Sequence, residues 1–310
     1  MSSKPEVLVV YKKSQLRLAL EKRNSRIQRL VKRGDPSTEP MRAAHEAHED
    51  TMLEVERALR GAGVDFAKVY RARLRAPMTA HRRLIISVGG DGTLLDTSHK
   101  VGSTAVLGVN SDTAHSVGFL CAAHRGTFSA LLAAILAGRL KPTVVRRLGG
   151  AIDGTALPFP VLNDVLVAHK NPAATSRLLV EHHGLVEDQK SSGIWVSTGA
   201  GSTAAMSSAG GEIVGLADAR AQLRVREPFF ADGPRFKLAS LWLEDGDEVG
   251  VTSKMREGRV YLDGPHEQLE LPMGARLVLN QRAPPLHLYA TQEMALRRET
   301  ARKNALRGPH

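Results

Sequence analysis

Short β-branched runs alternate with stretches in which apolar residues recur every three or four positions, and this alternation continues to about residue 142. VLVVY at residues 7–11 suits a buried strand, and the basic stretch after it reads as helix until Gly34-Asp35-Pro36 breaks it. A second helix is predicted from about Met41. Ala44, His48, Met52, Val55 and Leu59 share one helical face there, and the GAG at residues 61–63 can close it. Strands at 64–69, 84–88 and 105–109 and helices at about 93–100 and 126–140 complete the series. Strands separated by helices at this spacing predict a parallel sheet with crossovers.

After Lys141-Pro142 the texture changes. Candidate strands follow one another with little helix between them, at 144–148, 161–168, 177–182, 193–197, 235–242, 248–252, 259–262 and 276–279. The turns EDGD (244–247) and LDGP (262–265) carry hairpin chemistry. The pattern divides the chain into an α/β domain (1–142), a β-rich, sandwich-like domain (143–290) and a basic tail (291–310). The tail reads as a frayed helix without chemistry, and Trp195 and Trp242 read as core.

Composition narrows the class. The 310 residues are 42% hydrophobic, enough for one large or two ordinary domains with real cores. Cys121 is the one cysteine and cannot form an internal disulfide, and the N-terminus lacks the continuous apolar stretch of a secretory signal. A cytoplasmic protein is expected. FSALLAAILAG at 128–138 falls well short of the roughly 20 apolar residues a bilayer requires, so it reads as a buried helix and no membrane association is expected.

The formal charge of +11 predicts attraction to polyanions, from nucleic acid to nucleotides and polyphosphate. Much of the excess lies in Lys12, Lys13, Arg17, Lys22, Arg23, Arg26, Arg29, Lys32 and Arg33, either a solvated helical arm or a steering patch for a phosphorylated ligand. Few aromatics interleave with these residues and no nucleic-acid reading motif occurs, so no nucleic-acid partner is expected.

Three stretches carry candidate chemistry. In VGGDGTLLDTSHK (88–100), Gly89, Gly90 and Gly92 stand between a strand and a helix, where backbone N–H groups can hold phosphate. Asp91 sits among them, where a carboxylate would repel phosphate unless it holds a divalent cation or accepts the proton of an attacking hydroxyl. As a residue at a helix start it could equally be a cap. The second stretch, 193–211, is a strand and then a small-residue turn in which Thr198, Ser202, Thr203 and Ser208 offer hydroxyls and Gly199 and Gly201 allow close backbone approach. Between them, Asn163-Asp164 interrupts a core-like strand, and such a pair needs hydrogen-bond partners. His45 with His48, and His182 with His183, have no evident third metal ligand, and no metal ligands are assigned from the sequence.

In this order, the GGDGT loop, the Asn-acid pair and the glycine-rich segment resemble the NAD kinase family. DQKSSGIWVSTGAGS (188–202), GVNSDTAHSVGFL (108–120) and VREPF (225–229) are similar to its mitochondrial-type branch. The resemblance runs from about Val7 to Leu279. It implies a Rossmann-like first domain and a β-rich second one, as in NAD kinases and diacylglycerol kinases, with the site in a cleft between them. It also implies phosphorylation of the 2′-hydroxyl of the adenosine ribose of NAD(H) by ATP or polyphosphate, with Mg²⁺ or another divalent cation, in a homo-oligomer (dimer or tetramer).

By the same resemblance, Asp91 would polarise the hydroxyl, Gly89, Gly90, Gly92 and Thr93 would line phosphates, and Asn163 and Asp164 would bind adenosine and ribose. Thr203, Ala204 and Ser208 would surround adenine, Phe119 would close the pocket, and Ser192 would lie near the nicotinamide. Asp164 stands in place of the usual glutamate, Ser192 of an aspartate and Ala205 of a tyrosine. Asp263-Gly264 resembles a family Asp-Gly but is equally a hairpin signal. A lipid kinase would share GGDGT without explaining Asn163-Asp164. A non-catalytic nucleotide sensor would fit the three departures without explaining Asp91.

Overall fold

The structure, a computed structural model, describes residues 6–22, 24–230 and 236–307. Arg23 of the basic arm, Arg235 of the expected 235–242 strand and the last three residues of the expected tail lie outside them. The chain forms two compact units, one of residues 1–143 and 287–294, the other of 144–286 and 295–310.

The first unit runs β1 (Val7–Tyr11), α1 (Gln15–Glu21), α2 (Ser25–Lys32), α3 (Glu39–Gly61), β2 (Phe66–Tyr70), α4 (Ala76–Thr79), β3 (Leu84–Gly89), α5 (Asp91–Ser98), β4 (Val106–Asn110), β5 (Ala123–His124) and α6 (Phe128–Leu136). The order β2-β1-β3-β4, with β5 beside β4, is parallel throughout. Buried β-branched residues along β1 and β3 are what a parallel sheet covered on both faces demands. The chain leaves β1 toward β2 on one side and resumes at β3 on the other. That reversal is a topological switch point, and ligands of open α/β sheets bind outside the carboxyl ends of such strands. Lys12 and the Gly89 loop stand there, and Lys12 N–H donates to the Val88 carbonyl at 3.3 Å.

His48, Met52, Val55 and Leu59 are buried on α3 as their spacing predicts. The basic stretch is two helices rather than one, because Asn24 Oδ1 accepts the Ile27 N–H and starts a second helix. α6 buries one face only, through Phe128, Leu132 and Ile135.

β6 (Thr143–Val145) spans the boundary, and in chain order the second unit then contains β7 (Gly149–Ile152), β8 (Thr155–Ala156), β9 (Asp164–His169), β10 (Ser176–His182), β11 (Leu185–Ser191), β12 (Ile194–Ser197), α7 (Ala205–Ser208), β13 (Ala221–Val225), β14 (Ser240–Leu243), β15 (Glu248–Ser253), β16 (Gly258–Leu262), β17 (Glu267–Glu270) and β18 (Arg276–Asn280); β19 (Leu286–Leu288) and α8 (Gln292–Arg307) follow. Two antiparallel six-stranded sheets, ordered β11-β10-β15-β18-β7-β8 and β14-β13-β12-β9-β16-β17, bury one shared core. Val180, Val251 and Leu277 from the first meet Val167, Val196 and Leu223 from the second. Truncating one such leucine to alanine typically costs about 2–5 kcal/mol.

Several expectations change here. EDGD is no hairpin, since β14 and β15 lie in different sheets, and Asp247 Oδ2 caps the turn by accepting the Glu244 N–H at 2.8 Å. LDGP does close the β16–β17 hairpin. The strand expected at 161–168 starts only at Asp164, because Val161 pairs separately with Leu148 and a side chain takes the intervening N–H groups. β11 was not predicted from LVEDQKS, a largely exposed strand without apolar alternation. Trp195 and Trp242 are half-buried rather than core, and the Arg220 guanidinium lies 4.3 Å from the Trp242 ring centroid. Residues 292–307 of the tail form a helix, and Met294 and Arg298 on it are buried.

Candidate functional site

In the first unit, Gly89 ends β3, Gly90 is the N-cap of α5, and Asp91 is its first residue. A Cβ on Gly89 would fall 2.2 Å from Thr93 Oγ1, so only glycine lets the helix start directly on the strand. Thr93 is buried beneath it, turned away from solvent. Nothing stands within 4 Å of a Cβ on Gly92, which faces open space. The first N–H groups of a helix are unsatisfied within it and attract anions.

Asp91 Oδ2 accepts the Phe119 N–H at 2.9 Å and Oδ1 accepts the Leu120 N–H at 2.8 Å. The acid therefore has a structural task that sequence reading did not assign, fixing the residues that carry Phe119. The loop before them is braced by Asn110, whose amide donates to the Ser116 carbonyl at 2.7 Å, and by Ser111, whose hydroxyl donates to the Gly89 carbonyl at 3.1 Å. His48 shares a 3.0 Å hydrogen bond with Ser111, and burial pushes its imidazole down to about 4, so it is neutral. His45 bonds Ser14 instead. The two histidines thus brace separate positions, Ser14 and Ser111.

Lys12, which the sequence places in the basic arm, belongs to this site. It lines a cavity of about 360 Å³ with Ser14, Ser37, Asp112 and His115. Burial holds its ammonium below the usual lysine value, and Asp112 opposes that shift. Arg71 bonds the Gly92 carbonyl at 3.4 Å and pairs with Asp96 at 2.9 Å. Arg71 thus reaches the glycine loop by its side chain, and Lys12 adjoins the strand before it by its backbone.

In the second unit, Asn163 and Asp164 stand at the entrance to β9. Their partner is Asp263, in the β16–β17 turn at φ +50°, whose Oδ1 accepts the N–H of Asn163 at 2.6 Å and of Asp164 at 3.2 Å. Its Oδ2 accepts the Leu162 N–H at 2.9 Å. Asp164 is 5% exposed, and burial, with the Asp263 charge second, pushes its carboxyl up to about 7. Asn163 Oδ1 is buried and has no hydrogen-bond partner among the described residues. Buried polar atoms are nearly always paired, so such atoms, Gln189 Oε1 and Gln281 Oε1 among them, mark places where a water or a ligand can complete the bonding.

The glycine-rich turn folds onto the same pair. Thr198 N–H donates to the Asn163 carbonyl at 2.9 Å, and a Cβ on Gly201 would fall 2.3 Å from that carbonyl. The close approach that Gly201 permits is therefore to the chain itself. Thr198 and Ser202 are buried in internal bonds, whereas Thr203 and Ala204 are half-buried and Ser208 is exposed. Arg298, absent from the sequence reading, clasps this turn: its Nη2 donates to the Gly199 carbonyl and, at 3.1 Å, to Ser202 Oγ, and its Nε donates to the Val214 carbonyl at 3.1 Å. Ser192 is not gathered here. It precedes Ser197, the ladder partner of Asp164, by five residues, about 17 Å at about 3.3 Å each.

No family model matches the chain. Whole-sequence relatives do. A protein of Oryza sativa subsp. japonica named "Probable NADH kinase" is 33% identical over 269 residues, covering 80% of this chain and 82% of the relative. The crystal structure of an NAD kinase from Archaeoglobus fulgidus in complex with ATP superposes with TM-score 0.70 at 19% identity over 96% of this chain and 98% of that one. The yeast NADH kinase complexed with NADH gives 0.70 at 15% identity, over 96% and 87%. The fold is thus that of nucleotide-phosphorylating enzymes with a parallel sheet and a β-sandwich. The chain belongs to the NAD/NADH kinase family.

Proposed function

We propose that the protein transfers the terminal phosphoryl group of ATP or inorganic polyphosphate to the 2′-hydroxyl of the adenosine ribose of NAD(H), giving NADP(H). The observation that carries this reading is the buried Asn163 Oδ1, without a hydrogen-bond partner among the described residues, beside Asp164, a carboxyl pushed up to about 7. An amide acceptor next to a group able to donate or accept matches an adenine amino group and a ribose hydroxyl. The name of the rice relative favours NADH as the better acceptor.

In the reaction the ribose O–H bond and the donor's terminal P–O bond break, and a 2′-O–P bond forms. The proton passes to Asp91, and the donor leaves one phosphate shorter. Phosphoryl transfer has a loose transition state that asks little of a base and much of positioning. Each carboxylate oxygen can accept more than one hydrogen bond, so holding Phe119 and Leu120 leaves Asp91 able to orient the hydroxyl. The backbone of Gly89, Gly90 and Gly92 and the cations Lys12 and Arg71 face the donor phosphates. The oxygen-rich donor set of Asp91 and phosphate fits Mg²⁺, which when bound would neutralise charge on the transferring group.

The test is NADP(H) formation by purified protein with Mg²⁺, NAD or NADH, and ATP or polyphosphate. Asp91→Asn should lower turnover at saturating NAD(H) at least about 100-fold, a larger fall than the loss of affinity that follows from setting an amide N–H against the Phe119 or Leu120 N–H. Unchanged turnover would remove Asp91 from the mechanism. Binding without product from any pair would replace the kinase reading with a sensor.

A further inference from the structure

His182 ends β10 and pairs with Leu185 of β11, so His183 and Gly184 form a two-residue hairpin turn. Both have positive φ, +48° and +76°, the signature of a type I′ turn. Successive strand residues normally point to opposite faces. The left-handed backbone of His183 instead brings its ring beside that of His182, with centroids 4.0 Å apart.

Asp247 faces the pair from the turn that carries the chain from β14 in one sheet to β15 in the other. One ligand atom from each of His182, His183 and Asp247 lies within 4.8 Å of the other two. Two of the three are already oriented. His182 Nδ1 donates to the Glu248 carbonyl at 3.0 Å, so in the neutral ring the lone pair is on Nε2. Asp247 Oδ2 is held by the Glu244 N–H at 2.8 Å. Outer hydrogen bonds of this kind are the usual support of metal-binding imidazoles and carboxylates. The third residue, His183, has its side chain 71% exposed and can adjust, and its Nε2 already lies 3.2 Å from Asp247 Oδ1. Zn–N and Zn–O bonds near 2.1 Å in a tetrahedron put neighbouring ligands about 3.4 Å apart.

The charges around the cluster are accounted for. Glu181 pairs with Arg276 at 2.8 Å and Glu248 with Arg282 at 2.7 Å, all lining one cavity of about 320 Å³ with the cluster. Asp247 supplies the local negative charge.

We propose that His182, His183 and Asp247 bind one Zn²⁺-class cation, with water in the fourth position, clamping the tip of the β10–β11 hairpin to the turn that links the two sheets. Two imidazoles favour Zn²⁺, Ni²⁺ or Cu²⁺ over Mg²⁺, which prefers oxygen ligands. This cation is therefore separate from the one in the proposed reaction.

Titration of the full chain, free of any polyhistidine tag, with ZnCl₂ and separately with MgCl₂ tests the site by calorimetry and by thermal melting. One Zn²⁺ should bind per chain with a rise in melting temperature, and Mg²⁺ should give neither. His183→Asn removes a ligand while supplying the residue that a type I′ turn prefers, so the hairpin is kept. It should weaken Zn²⁺ binding at least tenfold and abolish the melting shift, with turnover in Mg²⁺ unchanged. No saturable Zn²⁺ binding, or equal binding by wild type and His183→Asn, would reduce the cluster to a surface ion pair and overturn the proposal whatever the enzyme assays show.

Discussion

Asp263 accepts the backbone N–H of Asn163 at 2.6 Å from a position one hundred residues further along the chain. With the Asp164 and Leu162 bonds, one carboxylate thus sets the backbone of the residues proposed to read adenosine. Hydrogen bonds to a charged acceptor contribute about 1.5–3 kcal/mol each and are not additive. Asp263→Asn keeps a side chain that tolerates the left-handed turn but points an amide N–H at an N–H. We expect a loss of about 2–4 kcal/mol in urea unfolding, with NAD(H) affinity falling at least tenfold. Turnover at saturating substrate should change much less, because Asp91 is untouched; an equal fall in both would tie Asp263 to the chemical step.

Asp164 makes stability depend on pH in an unusual direction. Its folded carboxyl is raised from 3.8 to about 7, so between those values the folded state holds a proton that the unfolded state has released. Stability from this group is therefore full below about pH 4 and declines as pH rises to about 7, by up to about 1.4 kcal/mol per unit. Asp164→Asn removes the titration. The variant should unfold at higher urea than wild type at pH 8, and the gap should narrow through pH 5 and close near pH 4. A gap independent of pH would show that Asp164 is ionised in the folded protein throughout this range.

The parallel half of the fold is legible in the sequence because its signal is local: VLVVY and the His48-to-Leu59 stripe need no distant partner to be read. The β-rich half is less so. EDGD and LDGP look alike as turns, yet one passes between sheets and the other closes a hairpin, a difference decided by pairings far along the chain. Composition likewise drew attention to Thr198 and Ser202 as hydroxyl donors to a ligand, although Thr198 is spent on the Leu162 carbonyl and Ser202 on the Gly199 carbonyl. Asn163-Asp164 stood out because a polar pair in an apolar run needs an explanation. Its anchor in Asp263 was hidden behind a second, equally valid reading as a hairpin residue. Arg298 gave no signal at all, being one basic residue among many in a charged tail.

Lys12 should separate activity from stability. Lys12→Met retains most of the stem and deletes an ammonium that burial already disfavours. Melting temperature should hold or rise. If Lys12 faces the donor phosphates, the KM for ATP or polyphosphate should rise about tenfold or more, and the salt dependence of that KM should weaken. The KM for NAD(H) should stay within twofold, and a rise confined to it would place Lys12 at the acceptor instead.

Arg298 gives the opposite combination. Replacing it by methionine preserves much of the buried bulk but strips the Gly199 and Ala200 carbonyls and Ser202 Oγ of a charged donor inside the protein. Leaving buried acceptors unpaired costs about 1–3 kcal/mol each and is not additive, so a loss of at least about 2 kcal/mol is expected. Arg298→Lys should recover only part of this, since an ammonium cannot span acceptors that a planar guanidinium reaches together. The Gly199–Ser202 turn packs on Asn163, so a loosened turn should raise the KM for NAD(H) in proportion to the lost stability across Arg, Lys and Met. The donor KM should stay constant along the same series. If all three proteins share one KM for NAD(H) while their melting temperatures differ, the C-terminal helix serves the stability of the unit alone.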